Sequence, residues 1–195
     1  MNIFILDKDP EICASYYVDK HIVKIPLEIN QMLCTNYLFL LGYTKSSQIT
    51  DEIYERLGNN QFKDFPRTIK RLRDGTVKIC HVYKPVHFNN PCTKWLRESK
   101  ENIEWVFKLN DELLKEHRRR FDPKSNKNRE VFEWLRNNYP LNNFPDVGMT
   151  NFALAVKHFP KYEDPVYTYR EFYIKDKQEI ASWKKSKVPE WWRKE

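Results

Sequence analysis

The stretch Asp19-Lys20-His21-Ile22-Val23-Lys24-Ile25-Pro26-Leu27-Glu28-Ile29-Asn30-Gln31 decides the fold class. At about 100° per residue, His21, Lys24 and Glu28 fall within about 60° of one another, and Gln31 and Thr35 extend that side. Ile22, Ile25, Ile29, Met32 and Leu33 occupy the adjoining face. A polar line beside an apolar face is what a helix anchored in a core requires. Helical spacing runs over residues 10–41, opened by Asp9 as N-cap, Pro10 in the first turn and Glu11 near the positive end. Pro26 removes one backbone donor and is expected to kink or split the segment. Gly42 ends it.

Working outward, residues 3–6 are short, apolar and β-compatible, an N-terminal strand stopped by Asp7-Lys8-Asp9-Pro10. A helix is expected over residues 51–57 and another over 65–73, then a turn at Asp74-Gly75 and a short strand or extended loop over 76–82. Asn90-Pro91 reads as a helix start, and residues 92–120 read as one long helix. Its stripe passes through Trp95, Ser99, Asn102, Val106, Leu109 and Leu113. Ser99 and Asn102 put polar groups where burial is expected, so they must face another element or a polar cavity. A short helix over 129–138, an irregular stretch over 139–150 and a last helix from Asp164-Pro165 to about Trp183 complete the chain. The expected fold is mostly α: a compact single-domain helical bundle over residues 1–183, with a short N-terminal strand and irregular loops. A basic, Trp-rich tail over 184–195 packs on it or extends from it.

With 34 Lys plus Arg against 27 Asp plus Glu, the net charge of +7 leans towards a polyanionic partner. The cations cluster at residues 63–78, at Arg118-Arg119-Arg120 and at 184–194. Phe62, Phe65, Trp183, Trp191 and Trp192 are interleaved with the first and last clusters, as nucleic-acid surfaces need. A solvated rim with core aromatics is the competing reading. A hydrophobic share of 41% is enough for a core, which argues against disorder of the whole chain. No apolar run approaches the ~20 residues of a bilayer span. The first seven residues lack a basic region and reach Asp7 too early for a signal peptide, so a soluble cytoplasmic protein is expected. Cys13, Cys34, Cys80 and Cys92 are spaced singly and read as buried thiols.

An imidazole, an amine and a carboxylate on one helix line (His21, Lys24, Glu28) suit general acid–base and electrostatic work; a plain Lys24–Glu28 pair on a polar face is the alternative. The segment from Cys80 to Cys92 offers His81, Tyr83, His87, Asn89 and Asn90 in a loop that opens a helix, suited to a phosphate or a base edge. Cys80, His81, His87 and Cys92 could also be zinc ligands, although their spacing fits no common zinc pattern. The α-amine of Met1, next to the expected strand, is a candidate nucleophile for imine chemistry.

These motifs together resemble a group of phage-type proteins. The resemblance rests on Leu6-Asp7, Asp9-Pro10, Asp19-Lys20-His21, Lys24, Glu28 and Gln31 in the first part of the chain. It continues through Tyr83-Lys84, His87, Asn89-Asn90-Pro91-Cys92, Trp95 and Arg97-Glu98-Ser99. Leu113, Glu116, Asp164-Pro165, Tyr169-Arg170 and the terminal Pro189, Trp191 and Trp192 complete it. That group is distantly similar, over residues 1–121, to the pyrimidine-dimer DNA glycosylases of the phage endonuclease V type. The resemblance implies a helical enzyme with an amine nucleophile and a catalytic Glu on its first long helix. It implies DNA glycosylase activity, with AP-lyase activity, on a damaged or modified pyrimidine in double-stranded DNA with one nucleotide extruded. No cofactor or metal is implied. Those glycosylases expose the amine of a small second residue, whereas this chain has Asn2, so either Met1 or Lys24 supplies the amine or the chemistry differs. Glu28 would then stabilise the developing positive charge, and His21, Lys24 and Arg97 would hold phosphates or the extruded nucleotide. His87, Asn89 and Asn90 would touch base or backbone, with Asn2, Asp7, Tyr83, Ser99, Asn102 and Arg170 as further substrate contacts. The alternatives are a phage transferase modifying a thymine derivative in DNA, and a non-catalytic nucleic-acid- or protein-binding module countering a host system.

Overall fold

The computed structural model describes residues 2–66, 68–71, 77–80 and 82–193, with residues 68–71 and 77–80 described by backbone alone. Met1, His81 and the Asp74-Gly75 turn lie outside the described residues. In chain order the elements are α1 (Pro10–Tyr16), α2 (Asp19–Leu40), α3 (Asp51–Asn59), β1 (Thr68–Arg71), β2 (Val77–Cys80), α4 (Pro91–Glu98), α5 (Lys100–Phe121), α6 (Lys127–Asn138) and α7 (Pro165–Asp176). The fold is mostly helical. Among the described residues no helix is long and apolar enough to cross a membrane.

The N-terminal strand is not formed. Residues 3–6 are buried, yet among the described residues no strand pairs with them. Side chains take the place of a ladder. Tyr17 Oη accepts from the Phe4 amide at 2.8 Å and donates to the Phe4 carbonyl at 2.7 Å. The Ile3 amide meets Cys92 Sγ at 3.4 Å, and the Leu6 amide meets Cys13 Sγ at 3.3 Å. Buried backbone groups must be paired somehow, and here the helices around the segment do it. Tyr17→Phe is therefore expected to destabilise the fold by about 1–3 kcal/mol, because it strands both polar groups of Phe4. The check is the urea midpoint at unchanged m-value.

The apolar periodicity over residues 10–41 is real, but the break falls at Tyr17 and Val18, both extended, rather than at Pro26. Pro26 sits inside the continuous 22-residue α2. Its buried ring is held by packing that outweighs the lost backbone bond. Gly42, at φ +88°, ends α2 with its own amide on the Phe39 carbonyl and that of Tyr43 on the Leu38 carbonyl. The long helix expected over 92–120 is two helices. Ser99 is extended (φ −158°, ψ 146°), and its Oγ accepts from the Glu101 amide at 3.1 Å as the N-cap of α5. The helix expected over 65–73 is replaced by β1, antiparallel to β2 with Ile69 opposite Ile79. Its β-branched Thr68 and Ile69 suit a strand once Val77 and Ile79 are available to pair. The last helix stops at Asp176, short of Trp183, and is followed by a 3-10 turn, Gln178–Ile180. Residues beyond that turn are held against the α1–α2 junction: Trp183 Nε1 donates to the Tyr16 carbonyl at 3.0 Å, and the Asp19 amide to the Ser182 carbonyl at 2.8 Å.

Helices α2 and α5 cross the centre antiparallel. At one level Asn110 Nδ2 donates to Asn30 Oδ1 at 3.2 Å; at the other Arg120 pairs with Asp19 at 3.0 Å. This crossing leaves the Lys24–Glu28 side of α2 turned away from α5, towards the chain start and α4.

Candidate active site at the start of the chain

Glu28 lies on that free side, and only 8% of it is exposed. Its Oε2 accepts from the Asn2 amide at 3.2 Å, and its Oε1 pairs with Lys24 Nζ at 3.0 Å. The approach of the chain start to this carboxylate follows from the side-chain ladder above: Ile3 rests on Cys92, and Asn2 is thereby delivered to Glu28. Asn90 and Pro91 make α4 begin there. Asn90 Oδ1 accepts from the Cys92 amide at 2.9 Å, which fixes the first turn and aims the Cys92 thiol at Ile3.

His21 sits one turn before Lys24, beneath the same segment. Its ring stacks on Phe4 (centroids 4.9 Å apart, planes 8° apart), and Nδ1 is 2.6 Å from Tyr173 Oη. Burial, then the nearby charges of Lys177 and Lys24, push its pKa from 6.5 down to about 3. His21 is therefore neutral at pH 7, which is a poor match to the phosphate-holding role that the resemblance suggests. The unfolded chain takes up a proton near pH 6.5 and the folded one only near 3, so stability falls as pH drops through that window. His21→Gln is expected to flatten the melting temperature against pH between those limits; an unchanged slope would refute the burial argument.

Lys177, which sequence reading passed over, belongs to this neighbourhood. It follows α7 as its C-cap, lies 4.7 Å over the Phe172 ring and acts electrostatically on His21. In the sequence it is one lysine among many near a helix end, so no local signal marks it out. Lys24, which pairs with Glu28, and Lys177 are thus two cations in the neighbourhood of His21.

The His87 loop reaches the site from both ends without His87 itself meeting Glu28. The Val86 amide donates to Thr35 Oγ1 at 3.1 Å, about 10 Å further along α2 on nearly the same face. His87 is exposed at φ +51°, its carbonyl accepts from the Asn90 amide at 2.9 Å, and Asn89 is exposed beside it. Tyr83 is half-buried, edge-on to Phe65 at 6.3 Å. Arg97 stacks at 4.0 Å over Phe88 and donates to its carbonyl at 3.0 Å.

Four of the expected substrate contacts are occupied by the framework. Ser99 caps α5. Asn102 donates to the Trp95 carbonyl at 2.8 Å and to Thr150 Oγ1 at 2.7 Å, and accepts from the Thr150 amide at 3.0 Å. Arg170 donates to the Leu6 carbonyl at 2.8 Å and pairs with Asp7 at 3.0 Å, between the rings of Tyr16 and Trp191. Their polarity is spent on fixing residues 6–7, α5 and the 145–150 loop, because buried polar groups take the nearest backbone partner available. The basic run Arg118-Arg119-Arg120 also stays apart from the site. Arg119 pairs with Glu116 at 2.6 Å, and Arg120 is wholly buried.

The described free thiols are buried. Burial raises Cys13 and Cys34 to about 12 and Cys92 to about 11. Of the residues in the zinc reading, Cys92 faces Ile3, while His81 and the Cys80 side chain lie outside the described residues. Among the described residues no cluster of three or more His, Cys, Asp or Glu could hold a metal ion. Comparison with protein-family models, curated proteins and solved structures gives no match to this chain.

Proposed function

We propose that the protein is a DNA glycosylase with associated lyase activity, acting on a damaged or modified pyrimidine in DNA, with Glu28 as its central carboxylate. The observation that carries this reading is the meeting of the Asn2 amide and Lys24 Nζ at the nearly buried Glu28, at 3.2 and 3.0 Å. A carboxylate kept out of bulk water acts strongly on charge that develops beside it. The cations Lys24 and Lys177 suit the phosphates flanking an extruded nucleotide, and a damaged base stacks poorly and is cheaper to extrude.

In the proposed reaction an amine nitrogen bonds to the sugar C1′ as the C1′–base bond breaks, and the base departs with the bonding electrons. Glu28 stabilises the positive charge that spreads over the sugar during this step. It then takes a proton from the attacking nitrogen and delivers it to O4′ as the ring opens, which leaves an imine. Two amines are candidates for this role: that of Met1, the residue before Asn2, whose amide is at the carboxylate, and that of Lys24, paired with it.

Sodium borohydride should therefore trap a covalent adduct on abasic or damaged duplex DNA. A retained N-terminal extension abolishes the adduct if Met1 supplies the amine, and Lys24→Met abolishes it if Lys24 does. A protein that binds such DNA but gives no adduct across a panel of modified pyrimidines and abasic sites is a binding module, and the reading fails.

A further inference from the structure

Arg97 carries a charge that its surroundings leave incompletely used. Its guanidinium lies 4.0 Å over the Phe88 ring and 4.9 Å from the Phe39 ring, and Nη2 donates to the Phe88 carbonyl. Nη1 is buried and has no hydrogen-bond partner among the described residues. Among the described residues no carboxylate pairs with it. Burial pushes its pKa below the ordinary arginine value, as happens to a cation stripped of water without a counter-charge. A buried donor left unpaired is costly, and a planar guanidinium matches the oxygens of a phosphate in a fork geometry.

The position of this group adds a direction. From Glu28 to Phe39, α2 advances about 16 Å and returns to within about 20° of the same face. Thr35, itself buried, and Val86 lie between the two, so the line along α2 runs from Lys24 and Glu28, beneath the His87 loop, to Phe39 and Arg97. Phe39 is 40% exposed, and His87 and Asn89 on either side of Phe88 are exposed, so the cluster opens to solvent on this side. Along one strand of B-form DNA, where phosphates advance about 3.4 Å each, that distance is about five phosphates.

We propose that Arg97, held between Phe39 and Phe88, is a phosphodiester-binding subsite that grips the DNA strand about 16 Å from the reacting nucleotide. The proposal rests on the reading of Glu28 above. A carboxylate from a protein partner would satisfy the same fork, but the net charge of +7 and the alignment with Glu28 favour a nucleic-acid strand.

The test measures binding of a fluorescent duplex carrying a tetrahydrofuran abasic analogue, against salt, for wild type, Arg97→Lys and Arg97→Gln. Arg97→Gln is expected to weaken binding about ten-fold and to lower the log–log salt slope by about 0.9, the share of one phosphate. Arg97→Lys should keep the slope and lose part of the affinity, since it keeps the charge and loses the fork. If Arg97→Gln does not fold, neutral methylphosphonate linkages walked along the strand test the wild type directly. One position about five phosphates from the analogue should then weaken binding most. Equal affinities and slopes for wild type and a folded Arg97→Gln overturn the proposal, as does a methylphosphonate walk with no sensitive position. So does Arg97-dependent binding of polyglutamate by a protein that ignores DNA. Absence of the borohydride adduct while the Arg97 effects persist would sink the Glu28 chemistry and leave this subsite standing.

Discussion

Glu28→Gln is expected to slow adduct formation on abasic or damaged DNA by about 10²–10⁴-fold, the usual contribution of a positioned acid–base group. The substitution separates charge from shape. The amide oxygen still accepts from the Asn2 amide, which sits 3.2 Å from the present carboxylate, so the chain start keeps its place. What disappears is the negative charge beside the sugar and the group able to take and return a proton. Fold stability should hardly change, because the Lys24 partner is 65% exposed and a pair of that kind contributes at most about 1 kcal/mol. Single-turnover rates, with strand affinity and melting temperature as controls, decide the matter. A Glu28→Gln protein that forms adduct at the wild-type rate would remove Glu28 from the chemistry. One that loses its fold together with its rate would instead give Glu28 a structural role.

Arg120→Met is expected to lower the unfolding free energy by about 3–5 kcal/mol, the cost of removing one partner from a buried charge cluster. Arg120 has no exposed surface. It donates to the carbonyls of Ser15 and Tyr17 at 2.9 and 2.8 Å, and to the carboxylates of Glu116 and Asp19 at 2.8 and 3.0 Å. The two carbonyls belong to the end of α1, where helical geometry provides no amides for them. The two acids belong to α5 and to the start of α2. One side chain therefore closes a helix end and joins three helices, and methionine fills the space without replacing any of those bonds. The urea midpoint should drop at constant m-value, and an effect below 1 kcal/mol would mean that water or a neighbour takes over the bonds.

The same cluster sets an acid limit on the fold. Burial alone would raise Asp19 and Glu116, but bonds from Ser182, Lys184 and Arg120 to Asp19, and from Arg119 and Arg120 to Glu116, outweigh it and hold both below their ordinary values of 3.8 and 4.5. The stability they contribute is complete above those values and is lost as pH falls through the lower folded-state pKa values. His21 acts from higher pH, so acid unfolding should begin below pH 6.5 and steepen below about 4.5.

Helices that carry their own signals could be read from the amino-acid order alone. Asp9 with Pro10, Asn90 with Pro91 and Asp164 with Pro165 each mark a helix start, and in each the side chain accepts from the backbone of the first turn. The line of His21, Lys24 and Glu28 was legible because periodicity is local: three residues on one helix share a face whatever surrounds them. Local signals could not decide where periodicity is interrupted. The apolar stripe runs straight through Ser99, and only the Glu101 amide and the Pro145 carbonyl, which accepts from Lys100 at 2.9 Å, make that residue a break between two helices. Residues 3–6 have strand composition, but whether an extended segment joins a sheet depends on what else lies within hydrogen-bond reach, and here that is Tyr17, Cys13 and Cys92. Arg97, Arg118, Arg119, Arg120 and Arg170 are the same residue type in the sequence. Tertiary packing alone made one a buried fastener between helices, another a brace for Asp7, and a third a stacked cation with a donor to spare, because burial and partners are properties of the assembled neighbours rather than of the residue.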